Sequence, residues 1–128
     1  NALDMFREMY LVSVLQKLKL GDASAGSARQ TLEMACVGGA RAMGLTECDD
    51  LAVGKRADLV VIDLERPNMQ PVNDIPCNLV YSGSKENVYM TLVNGQMLYE
   101  NGQFHIDEDA ADIYARAAGI KKRIMAKG

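Results

Sequence analysis

The chain has 128 residues, 48% of them hydrophobic, and a formal net charge of −3, which allows one modest core and excludes two full-sized domains. The acidic balance excludes a nucleic-acid partner, because phosphate neutralisation needs clustered Lys and Arg, and the one basic run, Lys121-Lys122-Arg123, reads as the solvated end of a helix. Cys36, Cys48 and Cys77 are odd in number and widely spaced, which argues against a disulfide framework or zinc knuckle and for a reducing, cytoplasmic setting.

Asp4 is suited to cap a helix running to about Leu20, with Phe6, Met9, Tyr10, Val14, Leu15 and Leu18 at helical spacing and Gly21 as a left-handed stop. Asp22 to Gly26 is a polar link. Ser27 and Gln30 then have capping-box spacing for a second helix to about Met43, stopped by Gly44. Its expected buried stripe is Leu32, Ala35, Cys36, Gly39, Ala40 and Met43, small side chains that permit close helix packing.

From Leu51 the pattern changes. A short extended segment and a turn at Gly54-Lys55 lead to Leu59-Val60-Val61-Ile62-Asp63, a continuous β-branched run that predicts a strand buried on both faces. Asp58, between turn and strand, is expected to bond backbone amides rather than act as a catalytic carboxylate. Pro67 and Pro71 place Glu65 to Val72 in a loop, and Asn73 or Asp74 can cap a helical turn through Asn78-Leu79-Val80-Tyr81.

Val88 to Val93 alternates as a strand. Asn94-Gly95 supplies a type I′ turn, and Gln96 to Tyr99 returns antiparallel. Asn101-Gly102 is a second turn, before Gln103 to Ile106 as a short edge strand or loop. Asp107 to Asp109 can cap a last helix from Ala110 to Met125, acidic at its start and basic at its end, with Gly119 as a point where it could split.

Against this scaffold, chemistry-bearing groups are sparse. The single histidine, His105, stands without an H-x-H, H-E-x-x-H or C-x-x-C pattern and reads as a surface or strand-end residue. Ser82-Gly83-Ser84 lacks the strand-turn-helix setting of a serine nucleophile, and Gly38-Gly39 lies inside a helix rather than in a phosphate loop. No catalytic and no metal-ligating residue is therefore assigned on this chain. Its substrate-binding residues stay unknown.

Three segments together resemble the carboxyl-terminal part of the amidohydrolase superfamily, in the branch of cytosine- and guanine-deaminase-like and triazine-hydrolase-like enzymes. They are Thr31-Leu32-Glu33-Met34-Ala35-Cys36-Val37-Gly38-Gly39-Ala40-Arg41-Ala42-Met43-Gly44-Leu45, then Leu51 through Asp63, then Val88 through Gly95. Within the branch the wording is most similar to 5-methylthioadenosine/S-adenosylhomocysteine deaminases, with Cys36-Val37 departing from the Thr-bearing sequence usual there.

The resemblance implies an α+β fragment of a metal-bearing (β/α)8 barrel enzyme. Residues 1–47 would be carboxyl-terminal barrel helices, 48–106 strands of a composite β-sandwich with a connecting helical turn, and 107–128 a terminal helix. It implies hydrolysis of C–N bonds, deamination of a purine-type or related small heterocycle, by water activated on a divalent metal, zinc or iron. The ligands, including an aspartate just before Asn1, would lie outside this sequence, so the chain itself would carry no metal and no activity.

The expected partner is the remainder of the enzyme chain. Open strand edges also predict self-association, as a homo-oligomer or domain-swapped form. No membrane partner is expected, since no apolar run approaches the roughly 18 to 20 residues of a span and no signal-peptide pattern opens the sequence. Two other readings stand beside this one: a stand-alone interaction or oligomerisation module of the same ancestry, and a complete small enzyme with an unrecognised site.

Overall fold

The structure is a computed structural model and describes residues 3–126; the outermost residues of the expected 1–47 and 107–128 segments lie outside that range. Helix α1, Met5–Leu20, starts where Asp4 Oδ1 accepts from the amides of Phe6 (3.1 Å) and Arg7 (3.4 Å). It ends at Gly21, whose φ of 62° turns the chain so that Asp22 N donates to Lys17 O at 3.2 Å. Both ends follow the sequence prediction.

Helix α2, Ala28–Glu33, opens on the predicted capping box: Gln30 N donates to Ser27 Oγ, and Ser27 N donates to Gln30 Oε1. It runs without a break through a π-helical turn, Met34–Gly38, into α3, Gly39–Ala42. Gly44, with φ 74°, then ends the helix, and Leu45 N donates to Ala40 O at 2.9 Å.

The π turn corrects the expected stripe. In it Gly39 N reaches back five residues to Met34 O, which takes up an extra residue per turn and puts positions counted at 3.6 spacing out of phase. Cys36 faces outward and Met43, beyond the turn, is 70% exposed, while Ala28 and Thr31, ahead of it, are buried. Leu32 and Ala35 do pack inward.

The next compact unit spans residues 67–82 and begins in the proline-bearing loop. Pro67 begins a 3-10 turn, Pro67–Met69, in the first turn, where its missing amide is tolerated. Asp74 caps α4, Ile75–Cys77, accepting from Cys77 N at 2.8 Å, and α4 continues into a π turn, Asn78–Ser82. That turn packs against α1 and α2. Met9, Ala28 and Val80 form the buried cluster, with Phe6, Leu32 and Ala35 around it; each buried side chain of the size of Met or Val stabilises by about 1.5–3 kcal/mol.

Gly83 follows because nothing larger fits: a Cβ there would stand 2.5 Å from Leu79 O and 2.7 Å from Phe6 Cδ1.

The sheet has four antiparallel strands in the order β1 (Leu59–Ile62), β2 (Val88–Val93), β3 (Gln96–Glu100), β4 (Gln103–Phe104). Asn94 (φ 52°) and Gly95 (φ 77°) make the left-handed pair a type I′ turn needs, as do Asn101 (φ 43°) and Gly102 (φ 87°). One irregularity between Thr91 and Leu92 bulges the first hairpin. A second register shift falls between Val61 and Ile62.

The predicted double-sided burial of β1 is not observed. Val60 and Val61 are 52% and 41% exposed, because β1 is an edge strand and the sheet's main contacts are among its own strands. Helix α5, Ala110–Met125, is capped by Asp109, whose Oδ1 accepts from Ala111 N at 2.6 Å. It passes through Gly119 unbroken, so the expected split does not occur. None of its residues is buried.

Helix α1 is apolar around most of its circumference. Phe6, Met9 and Ser13 face the cluster, while Tyr10, Leu11, Leu15, Leu18 and Leu20 are exposed, Leu18 by 78%. The predicted stripe thus lies partly on the outer side.

Candidate functional site

His105, the Ser82-Gly83-Ser84 stretch and Gly38-Gly39 do not come together. His105 is exposed just past β4, with its backbone amide donating to Leu98 O at 2.8 Å. Ser82 closes the π turn and Ser84 caps the 3-10 turn Lys85–Asn87. Gly38 and Gly39 lie inside the second helical run. Among the described residues no three His, Cys, Asp or Glu side chains converge.

Asp58 holds structure, as expected, although at longer range. Its Oδ1 accepts from the backbone amide of Asn94 at 2.5 Å, and Gly95 N donates to Ala57 O at 2.9 Å. The segment entering β1 is thereby fastened to the tip of the first hairpin.

The thiolate is the reactive form of cysteine, and all three thiols are shifted toward the protonated form. A hydrogen bond to Asp58, with burial and nearby negative charge, raises the Cys48 pKa above the ordinary thiol value, and Asp74 does the same to Cys77. Partial desolvation at the helix surface raises that of Cys36.

Three polar nodes stand out that the sequence pattern does not identify. In the first, Asp49 is 5% exposed; it accepts from Arg41 Nε at 2.8 Å and is ion-paired to Lys55, whose Nζ also donates to Thr46 O at 2.9 Å. Lys55 first, then Arg41, hold the Asp49 carboxyl well below its usual range. This node staples the end of α3 to the irregular segment before β1, and a carboxylate so deep needs both cations.

The second node is Asn87, 1% exposed, which forms a reciprocal amide pair with Asn68 at 2.8 and 3.2 Å. It also accepts from Ser84 N at 2.9 Å and donates to Asp63 O at 3.3 Å. The third is Ser13, fully buried, whose hydroxyl donates to Gly26 O at 2.6 Å and lies 2.9 Å from the Tyr81 hydroxyl. Each node has its hydrogen-bonding capacity taken up by the scaffold, which is the signature of architecture rather than of a reacting centre. A polar residue beside a helix end is the only sequence signal, and it does not name distant partners.

The described residues also form open depressions. One, of about 440 Å3, runs beside α1 and α2 past Gln16, Gln30, Thr31 and Arg41. Another, of about 430 Å3, is bordered by Arg66, Asn68, Ser82, Ser84 and Glu86. Neither holds a nucleophile paired with a base. Among the described residues no helix is long and apolar enough to cross a membrane.

Residues 1–98 match the profile of the amidohydrolase family. The chain is 42% identical over 119 residues to a 5′-deoxyadenosine deaminase of Methanosarcina acetivorans, covering 92% of this chain and 27% of that protein. It is 40% identical to a 5-methylthioadenosine/S-adenosylhomocysteine deaminase of Moorella thermoacetica, over 100% of this chain and 29% of that one.

Among solved structures, an adenosine deaminase from Xanthomonas campestris with bound zinc superposes with a TM-score of 0.88 at 33% identity, covering 95% of this chain and 28% of that one. A zinc complex of atrazine chlorohydrolase from Arthrobacter aurescens gives 0.77 at 25% identity, covering 89% of this chain and 25% of that one. The chain spans little more than a quarter of the relatives it matches.

Proposed function

The chain belongs to the amidohydrolase family, and from that we propose that it is the carboxyl-terminal scaffold of a metal-dependent deaminase acting on a purine-type nucleoside. The observation that carries this reading is the similarity along almost the whole chain, near 40% identity, to relatives named as deaminases of 5′-deoxyadenosine and of 5-methylthioadenosine or S-adenosylhomocysteine. In such a reaction water adds its oxygen to the ring carbon, the exocyclic C–N bond breaks, and ammonia leaves. The divalent metal, zinc as in the solved relatives or iron, is held on this reading by residues outside the sequence.

The part played by the present residues is support. Helices α1 to α3 are the last helices of the barrel, the four strands belong to a β-sandwich, and α5 follows them. Exposed leucines on α1 and exposed valines on β1 are then surfaces that the rest of the enzyme covers. Three unpaired cysteines suit a reducing cytoplasm. The free edge of β1 and the uncovered faces also favour self-association of the isolated piece.

Ammonia release from 5′-deoxyadenosine and 5-methylthioadenosine by the full-length protein, beside the 128-residue chain alone, tests the reading. Activity and stoichiometric metal are expected in the first and neither in the second. Full-length, zinc-loaded protein inactive on every aminopurine nucleoside would overturn the substrate class. An independently folded, monomeric, inactive 128-residue chain would favour the stand-alone interaction module.

A further inference from the structure

The two Asn-Gly pairs are chemically alike, each followed by Gln, and each sits exposed at a two-residue turn with both residues left-handed. Asn-Gly is open to a self-reaction because glycine offers no side chain to shield its amide. The glycine nitrogen, once deprotonated, attacks Cγ of the asparagine; an N–C bond forms, the C–NH2 bond breaks, and ammonia leaves with a proton from water. Water then opens the cyclic imide at either carbonyl, giving aspartate or isoaspartate.

What differs is how each nucleophilic nitrogen is held. Gly95 N donates to Ala57 O at 2.9 Å, and Asn94 N donates to Asp58 Oδ1 at 2.5 Å, so the first tip is fastened by two bonds to a segment outside its hairpin. Among the described residues Gly102 N has no acceptor, and the second tip is held from outside its own turn by one bond, Asn101 N to Tyr89 O at 2.8 Å. Its strands pair through two residue pairs, Tyr99 with Phe104 and Glu100 with Gln103, with one further bond beyond them, His105 N to Leu98 O at 2.8 Å. Cyclisation needs local opening, and a two-pair ladder at a sheet edge opens far more readily than a latched one.

We propose that Asn101 is a site of spontaneous deamidation in the folded protein, while Asn94 is protected by its latch to Ala57 and Asp58. The product at position 101 adds a negative charge to the edge of the sheet, and as isoaspartate an extra backbone carbon.

The test is to incubate the folded full-length protein at mildly alkaline pH and map both peptides by mass spectrometry over time. Conversion at Asn101 is expected about tenfold faster than at Asn94, about 1.4 kcal/mol of barrier, with the two rates converging in urea. Asp58→Ala should raise the rate at Asn94 and leave Asn101 unchanged. Equal native rates, faster conversion at Asn94, or no native conversion at Asn101 while the unfolded chain converts would each overturn the proposal.

Discussion

The hydroxyls of Ser13 and Tyr81 lie 2.9 Å apart across 68 residues of sequence. Ser13 has a single proton and gives it to Gly26 O at 2.6 Å, so Tyr81 is the donor to Ser13 Oγ. The pair joins α1, the link after it and the π turn Asn78–Ser82 in one short chain of bonds. Tyr81→Phe leaves the Ser13 to Gly26 bond intact and is expected to destabilise by about 0.5–1.5 kcal/mol, the net worth of one hydrogen bond. Ser13→Ala removes both bonds at a fully buried position and should cost more. Urea unfolding of the full-length protein, read as a shift in midpoint at constant slope, checks the order; an equal or smaller loss in Ser13→Ala contradicts it.

Two glycines should respond in opposite directions. Gly83→Ala puts a Cβ where Leu79 O and Phe6 Cδ1 stand at 2.5 and 2.7 Å, so either backbone or ring must move, at about 1–3 kcal/mol. Gly119 lies in the middle of α5, and a methyl group there would meet nothing within 4 Å. Gly119→Ala should therefore gain about 0.5–1 kcal/mol of helix stability. Thermal melts of the two variants beside the parent test both signs at once.

Acid should loosen the Asp49 staple. Its folded-state pKa is lowered by Lys55 and Arg41, so the carboxylate contributes stability that is fully present above the ordinary Asp value of 3.8 and is lost as the pH falls through the lower, folded value. Asp49→Asn should be destabilised relative to the parent at neutral pH, and the gap should narrow as pH drops below that ordinary value. A gap that stays constant into strong acid would show that the charge is not what the staple uses.

Features set by neighbours in sequence are legible without the structure. Asp4, the Ser27 and Gln30 pair, Asp74 and Asp109 all cap where expected, and both Asn-Gly turns form, because each depends on a backbone geometry spanning two to four residues. Burial is less legible. Met43, Cys36, Val60 and Val61 are apolar and read as interior residues, yet their exposure depends on a π turn in one case and on an uncovered sheet in the other.

The polar nodes are invisible in the sequence for a different reason. Asn87 bonds to residues 19 and 24 positions away and Ser13 to one 68 away, and no periodicity encodes such pairings. One histidine and three scattered cysteines are why no reacting group is assigned from the sequence.

The Asp58 latch has a consequence for the order of folding. The β2–β3 hairpin closes over a two-residue turn, whereas the bond from Asn94 to Asp58 spans 36 residues and can form only once that turn exists. Loop-closure entropy delays such contacts, so the latch belongs to the downhill side of the folding barrier. Asp58→Ala should then speed unfolding and leave the refolding rate nearly unchanged, which stopped-flow kinetics on the full-length protein would read directly; an equal slowing of refolding would place the latch in the nucleus instead. A side chain with no part in local structure would thus set how long the native sheet persists, while the hairpin sets how fast it arises.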